Sequence, residues 1–211
     1  MKLFAIRKEY KLAQLDIDTV TPDPIIQLEQ WLGDAANAKC PDYTAMTLAT
    51  SNTDGQPSTR VVLLKYLKKE GLFFFTNYKS RKGKDLLLNP KAAANFFWPE
   101  LERQVKIEGH VIKAEAEISD FYFRMRPYES QISAVISPQS AEIPDRKLLE
   151  KEWQEMYNSM KGKEIERPEF WGGFMLKPTR VEFWQGREHR LHDRIVYKKQ
   201  AGGWKIKRLA P

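Results

Sequence analysis

Two short runs of unbroken apolar character, Val61-Val-Leu-Leu64 and Leu72-Phe-Phe-Phe75, most restrict what this chain can fold into. The first is fenced by Arg60 and Lys65, and Lys68-Lys-Glu-Gly71 turns it into the second, so the pair reads as two strands. Continuous apolarity implies burial on both faces, inside a barrel or at a subunit interface. More strands surround them. Tyr43 to Ser51 alternates and leads to the hairpin signal Asn52-Thr-Asp-Gly55. Ala92 to Trp98 and Arg103 to Ala116 follow, then Phe170 to Lys177 and Arg180 to Gln185. Gln185-Gly186 reads as a turn into a returning strand, Arg187 to Tyr197, and Gln200-Ala-Gly-Gly203 as a turn before Trp204 to Leu209.

Helices are the minority. Ile25, Ile26, Leu28, Trp31, Leu32 and Ala35 recur at helical spacing, bracketed by Asp23 and Pro41. Ser80 is an N-cap for a helix ending near Asn89-Pro90. Ser119 begins a third helix, Pro127 interrupts it, and Gln131 to Ile136 resumes. Asp145 to Met160 carries Leu148, Leu149, Trp153, Met156 and Tyr157 on one side. The class is therefore α+β, mainly β. Residues 1–20 read as an arm or lid, and 21–211 as a single domain with a helical sub-lobe around 119–160.

With 42% hydrophobic and 30% charged residues in 211, the chain has the balance of a globular protein, and its net charge of +7 favours anionic partners. One cysteine, Cys40, leaves no internal disulfide, and with three histidines a structural metal site is not expected. No stretch approaches the ~18 consecutive apolar residues of a membrane span. The start of the chain lacks the apolar core of a signal peptide, so the expected location is the cytoplasm, away from membranes.

The cations fall in particular places. Arg81 and Lys82 sit in the first turn of the helix capped by Ser80, where they oppose the helix dipole unless an anion such as phosphate binds there. Tyr122 and Arg126 share a helix face, and Ser130 extends the spacing, which suits a phosphate clamp. On a strand running from Arg187, Arg190, His192 and Arg194 point one way and His189, Leu191 and Asp193 the other, with Trp184 as a flat wall nearby. Arg60 and Lys65 lie on opposite faces, roughly 17 Å apart along a strand, so they do not grip one phosphate together. Two classes fit: a binder or enzyme for phosphorylated aromatic small molecules, or a basic barrel for nucleic acid. Specific cation placement, and acidic residues such as Glu100 and Glu102 that interrupt a basic groove, favour the first and no nucleic acid.

The stretch Val181-Glu-Phe-Trp-Gln-Gly-Arg-Glu-His-Arg-Leu-His-Asp-Arg194 with the ending Trp204 to Pro211 closely resembles the pyridoxamine/pyridoxine 5′-phosphate oxidases. Arg60 to Lys65, Phe75-Thr-Asn77, Ser80-Arg-Lys82, Leu101-Glu-Arg-Gln104, Arg126-Pro with Ser130-Gln131, Gln139-Ser140 and Phe170-Trp-Gly-Gly173 extend the likeness, in order, from about residue 7. The resemblance implies a split β-barrel FMN-binding fold with flanking helices, acting as a homodimer with FMN in clefts formed by both subunits. It implies oxidation of pyridoxamine or pyridoxine 5′-phosphate to pyridoxal 5′-phosphate, with dioxygen reduced to hydrogen peroxide. The alternative is a split-barrel flavin reductase or a flavin-binding protein that is not an oxidase. Carried over, the cofactor residues are Arg60, Val61, Val62, Leu63, Leu64, Lys65, Phe75, Thr76, Arg81, Lys82, Gln104, Gln139, Ser140, Trp184 and Arg194. The substrate residues are Lys65, Tyr122, Arg126, Ser130, Arg190, Leu191 and His192, with the arm residues Arg7, Lys8, Glu9 and Tyr10 closing the site. Arg190 and His192 are the catalytic candidates, Arg190 to stabilise developing negative charge and His192 as a proton acceptor, work that solvent could also do.

Overall fold

The computed structural model describes residues 3–4 and 9–211. Arg7 and Lys8, expected in the closing arm, lie outside the described residues. After the arm, Asp23 caps α1 (Pro24–Asn37) through its carboxylate and the Ile25 N–H, with Pro24 at the first position, where no amide is needed. Four strands follow: β1 (Ala45–Ser51), β2 (Pro57–Leu63), β3 (Tyr66–Lys68) and β4 (Gly71–Asn77). Helix α2 (Arg81–Leu88) leads to β5 (Lys91–Trp98) and β6 (Arg103–Lys113). Three helices come next: α3 (Ala116–Met125), α4 (Tyr128–Ile136) and α5 (Arg146–Met160). The chain ends with β7 (Trp171–Gln185), β8 (Asp193–Gln200) and β9 (Gly203–Leu209).

The strands form one antiparallel sheet in the order β2-β1-β5-β6-β7-β4-β3, with β8 and β9 branching from β7. Strand β7 is the spine. Its first half pairs with β4 and its second with β8, while β6 runs beside both. The change of partner falls at Pro178, which has no amide to donate, and the β6–β7 register shifts between Glu108 and Gly109. The sequence reading broke this strand at Pro178-Thr179. The structure keeps it whole, because a bulge absorbs the missing donor. The result is a split β-barrel with flanking helices, α+β in class and mainly β.

Two cores hold it. Helix α1 covers the sheet with Leu28 and Trp31, whose ring meets Phe183 edge-on at 5.1 Å, above Met46, Leu48, Phe74, Phe96 and Phe174. A smaller cluster of Phe123, Ile132, Ile165 and Trp171 ties α3 and α4 to the start of β7. Strand β4 is buried on both faces, as its composition implied. Strand β2 is not: it is a sheet edge, and Val61 and Leu63 are 66% and 40% exposed. Its inward side chains, Arg60 and Val62, alternate with an outward apolar row that a single chain leaves uncovered.

Helix α3 begins at Ala116 rather than Ser119. Ser119 is buried one turn in, where its hydroxyl donates to the Glu115 carbonyl and accepts from the Gly173 N–H, so it ties α3 to β7. None of the described helices is long and apolar enough to cross a membrane. The described residues contain no group of three or more His, Cys, Asp or Glu placed to hold a metal ion.

Candidate active site

At the start of α2, Lys82 turns inward while Arg81 is exposed on the lining of a cleft. Ser80 caps the helix by accepting from the Gly83 N–H at 3.3 Å. Lys82 Nζ donates to Gln139 Oε1 at 2.9 Å, Thr76 Oγ1 at 3.2 Å and Ser80 Oγ at 3.4 Å, all of them neutral oxygens. Arg60 reaches the same place from β2, donating to Thr50 Oγ1 at 2.6 Å, while Asp85 lies 3.9 Å away. Burial, and then the charge of Arg60, hold Lys82 below the usual lysine pKa. Arg60 is lowered as well, by burial first and by Arg81, against the opposing pull of Asp85. Such a pocket is short of negative charge. It opens into a cleft of about 670 Å³ between the 137–141 segment and Lys79, Arg81 and Lys84.

Next to it lies a second cation on an aromatic platform. Phe75 stacks on Tyr122 at 4.0 Å and on Trp171 at 5.9 Å, and the Arg126 guanidinium lies 4.6 Å over the Trp171 ring. The Arg126 carbonyl accepts from Gln131 Nε2 at 2.9 Å, which fixes the corner between α3 and α4, and Ser130 lies in the first turn of α4. Nη1 of Arg126 is buried and has no hydrogen-bond partner among the described residues. Burial lowers the Arg126 pKa, with Tyr122 opposing. An unpartnered buried guanidinium N–H is costly, so its retention points to an anion that completes it. A cavity of about 550 Å³ lies here, lined by Arg126, Trp171 and Trp153, and it shares Asn77, Ser137 and Gln139 with the first cleft.

The C-terminal residues are arranged differently from the sequence reading. Residues 187–192 are not a strand; Glu188–Arg190 form a 3-10 turn, and β8 starts only at Asp193. His189 and Arg190 have φ of 54° and 61°, the left-handed region, so the alternation that put Arg190, His192 and Arg194 on one face does not apply. Local bonds close the turn: the Arg187 N–H donates to His192 Nδ1 at 3.1 Å, and Arg187 Nη1 reaches Asp193 at 3.2 Å. Arg190 and Leu191 are exposed. His192 packs 4.7 Å from Trp184, and the arm's Tyr10 stands edge-on to both rings at 5.7 Å. Burial, then the charge of Arg190, lower the His192 pKa. With Nδ1 accepting an N–H, the neutral ring carries its proton on Nε2.

Gln104, Trp184 and Arg194 are successive cross-strand partners and share one sheet face. Arg194 donates to the Ala210 carbonyl at 2.8 Å and to Glu182, through Nε at 2.9 Å and Nη2 at 2.8 Å. Glu182, 2% exposed, also holds Lys106 and Arg180. Val61, Thr47, Asn95, Lys106 and Glu182 form a parallel row of the same face, which connects the exposed edge β2 to this end of β7. Lys65, past the end of β2, is exposed.

The candidates thus fall into two groups. Phe75, Thr76, Arg81, Lys82, Tyr122, Arg126, Ser130, Gln139 and Ser140 gather with Arg60 around the start of β7. Tyr10, Gln104, Trp184, Arg190, Leu191, His192 and Arg194 gather at its other end. From Trp171 to Trp184 the strand runs roughly 40 Å at about 3.3 Å per residue, so one chain does not bring the groups together. Sequence reasoning missed Thr50, Asp85, Trp171 and Glu182, whose roles depend on partners distant in sequence. Only the single acid of β7, between the apolar neighbours Val181 and Phe183, offers a signal of a buried charge.

Comparison with known proteins identifies the family. Residues 32–160 match the family described as Pyridoxamine 5′-phosphate oxidase, and residues 171–211 match the Pyridoxine 5′-phosphate oxidase C-terminal dimerisation region. The chain is 49% identical over its whole length to a pyridoxine/pyridoxamine 5′-phosphate oxidase of Leptospira interrogans, and 51% identical to one of Cupriavidus taiwanensis, covering 99% of each. The crystal structure of PhzG from Burkholderia lata, in complex with tetrahydrophenazine-1-carboxylic acid, superposes with a TM-score of 0.90 at 30% identity, covering 95% of this chain and 100% of that one. A pyridoxamine 5′-phosphate oxidase-related FMN-binding protein of Nostoc punctiforme shares the fold at a TM-score of 0.69 and 16% identity, covering 86% of this chain and 97% of that one. With both matches in register and about half of all residues identical from end to end, the chain is an enzyme of the pyridoxamine 5′-phosphate oxidase family.

Proposed function

We propose that the protein is an FMN-dependent oxidase that converts pyridoxamine or pyridoxine 5′-phosphate to pyridoxal 5′-phosphate and acts as a homodimer. The observation that carries this is the pair of anion sites sharing one wall: Lys82 with neutral acceptors only, and Arg126 with a buried N–H left over. Two phosphates, one on the cofactor and one on the substrate, fit that pair. The family relatives at 49% and 51% identity carry the substrate's name.

In this reading Arg60, Arg81, Lys82, Thr76, Gln139 and Ser140 hold the FMN phosphate end. Val61 to Lys65, Phe75, Gln104, Trp184 and Arg194 line the flavin. FMN, when bound, supplies the two-electron acceptor that no side chain provides, and dioxygen takes the electrons on as hydrogen peroxide. Tyr122, Arg126, Ser130 and Lys65 clamp the substrate phosphate, a remote grip that orients the ring. Arg190, Leu191 and His192 then belong over the substrate ring, with the arm's Tyr10 against His192. Because the groups at the two ends of β7 stand far apart in one chain, each site combines the Arg126 end of one subunit with the Trp184–Arg194 end of the other. The matched dimerisation region and the bare row of Val61 and Leu63 support that arrangement. His192, holding its proton on Nε2, acts as a hydrogen-bond donor to the substrate, and the amine or alcohol proton passes to solvent. Cys40 is a buried free thiol, which suits the reducing cytoplasm we propose as the location.

The second reading is a family member with another substrate, a flavin reductase or a non-oxidase flavoprotein, favoured by the likeness to PhzG and its polycyclic acid ligand. Anaerobic mixing of the FMN-loaded protein with pyridoxamine phosphate separates them. The flavin's visible colour should bleach, and oxygen should restore it. No bleaching with either B6 phosphate overturns the oxidase reading, and bleaching by a tetrahydrophenazine acid alone selects the second.

A further inference from the structure

The arm does not simply lie over the C-terminal loop; one buried carboxylate holds it. Glu102, 3% exposed, ends the turn between β5 and β6 with a left-handed φ of 53°. Its Oε2 accepts two successive arm amides, Lys11 N–H at 2.8 Å and Leu12 N–H at 3.1 Å. Its main-chain carbonyl accepts the Gly186 N–H at 2.8 Å and Gln185 Nε2 at 3.3 Å. One residue therefore joins the arm to the turn that carries Arg190 and His192. Gly186 completes the seat. A Cβ there would stand 2.7 Å from Tyr10 Cβ and Cγ, so only a bare α-carbon admits the tyrosine. Seated so, Tyr10 meets Trp184 and His192 edge-on.

We propose that Glu102 is a positioning residue for the substrate site: with Gly186 it forms a latch that seats the arm and sets Tyr10 against His192. The proposal rests on the oxidase reading for the identity of the substrate. A carboxylate gripping two amides favours the closed arm by two charge-assisted hydrogen bonds. Releasing it lowers the closed population and raises apparent KM in proportion, while Lys82, whose bonds go to Thr76, Ser80 and Gln139, keeps its place at the cofactor phosphate.

The test is hydrogen exchange of the arm amides in FMN-loaded protein, with steady-state kinetics and FMN titration alongside. In Glu102→Ala, exchange at Lys11 and Leu12 should rise about tenfold or more, and KM for pyridoxine phosphate by a similar factor, with kcat and FMN affinity little changed. Glu102→Gln, which keeps an acceptor oxygen, should recover part of both effects. Gly186→Ala crowds Tyr10 at 2.7 Å and the Glu102 Cβ at 3.1 Å while keeping the carboxylate itself, and should raise KM in the same way, so the idea stays testable if Glu102→Ala fails to fold. Unchanged arm exchange in Glu102→Ala and Glu102→Gln, or released arms with unchanged KM, overturns the latch. Arm exchange is read without any substrate, so failure of the oxidase reading appears separately, as no bleaching in the unmodified protein.

Discussion

Arg126 shows how much of a binding site is decided by a single unfilled valence. Its guanidinium is stacked on Trp171 and its main-chain carbonyl is held by Gln131, so both the ring contact and the corner position the side chain, and Nη1 is buried without a partner among the described residues. Ordering in advance lowers the entropy cost of gripping a phosphate. Replacing Arg126 with Gln keeps an unbranched polar side chain and removes the charge. We expect KM for the phosphorylated substrate to rise about 10- to 100-fold, the loss of one or two charge-assisted hydrogen bonds. FMN affinity should stay within about twofold, since binding and not the flavin site is touched. Equal losses in both would show that the guanidinium serves the cofactor. His192 gives a prediction of another kind. Its folded pKa lies below the unfolded value, through burial first and Arg190 second, so the unfolded chain takes up the proton at a higher pH. The contribution of the neutral ring is complete above about pH 6.5 and is lost as pH falls from there through the folded pKa. Arg190→Met removes the second cause. An NMR titration of the His192 ring should then show its midpoint moving up toward the ordinary value; an unmoved midpoint would mean that the exposed Arg190 side chain does not face the imidazole in solution.

Elements whose signals are local were legible in the sequence. Asp23 and Ser80 cap the helices they appeared to cap, Asn52 to Gly55 makes its hairpin, and Leu72 to Phe75 is buried on both faces. The turn at 186–192 was not legible, because what closes it comes from elsewhere: Asp193 takes the Leu15 N–H and Arg208, and Glu102 takes the Gly186 amide. Alternation carries no information about such bonds. It therefore grouped Arg190 with Arg194 as strand neighbours, whereas a left-handed turn separates them. Strand β7 failed in the opposite direction. Pro178 looked like an end, yet the β6 bulge carries the strand through it. That passage depends on Gly109, where a Cβ would fall well inside contact distance of the Lys177 carbonyl oxygen on the neighbouring backbone. Gly109→Ala must push β6 and β7 apart at the point where the sheet divides. Urea unfolding should show a loss of at least about 2 kcal/mol, within the range for forced overpacking between rigid backbones. A loss below about 0.5 kcal/mol would mean that the two strands separate there at little cost.

For the whole molecule, the length of β7 decides the argument. The residues proposed to bind phosphate lie at one end and those proposed to face the ring at the other, roughly 40 Å apart along the strand, far more than a small aromatic phosphate spans. The sequence held every one of these candidates in order but no measure of their separation, so it grouped them without showing that in one chain they stand at opposite ends of β7. The proposed two-fold dimer would set the Arg126 end of each subunit against the Trp184–Arg194 end of its partner and would cover Val61 and Leu63, which a single chain leaves exposed. Mixed dimers test it directly. Arg126→Ala and Arg190→Ala homodimers should each be nearly inactive at low substrate, because every site lacks one group. In a hybrid made by unfolding and refolding the two together, one site receives both substitutions and the other receives neither. Random pairing makes half of the dimers hybrids with one intact site of two, so the mixture should regain about a quarter of the wild-type activity. If both arginines served a site within one subunit, every site in the mixture would still lack one of them, and activity would stay at the level of the parents even where subunit exchange is verified by mass.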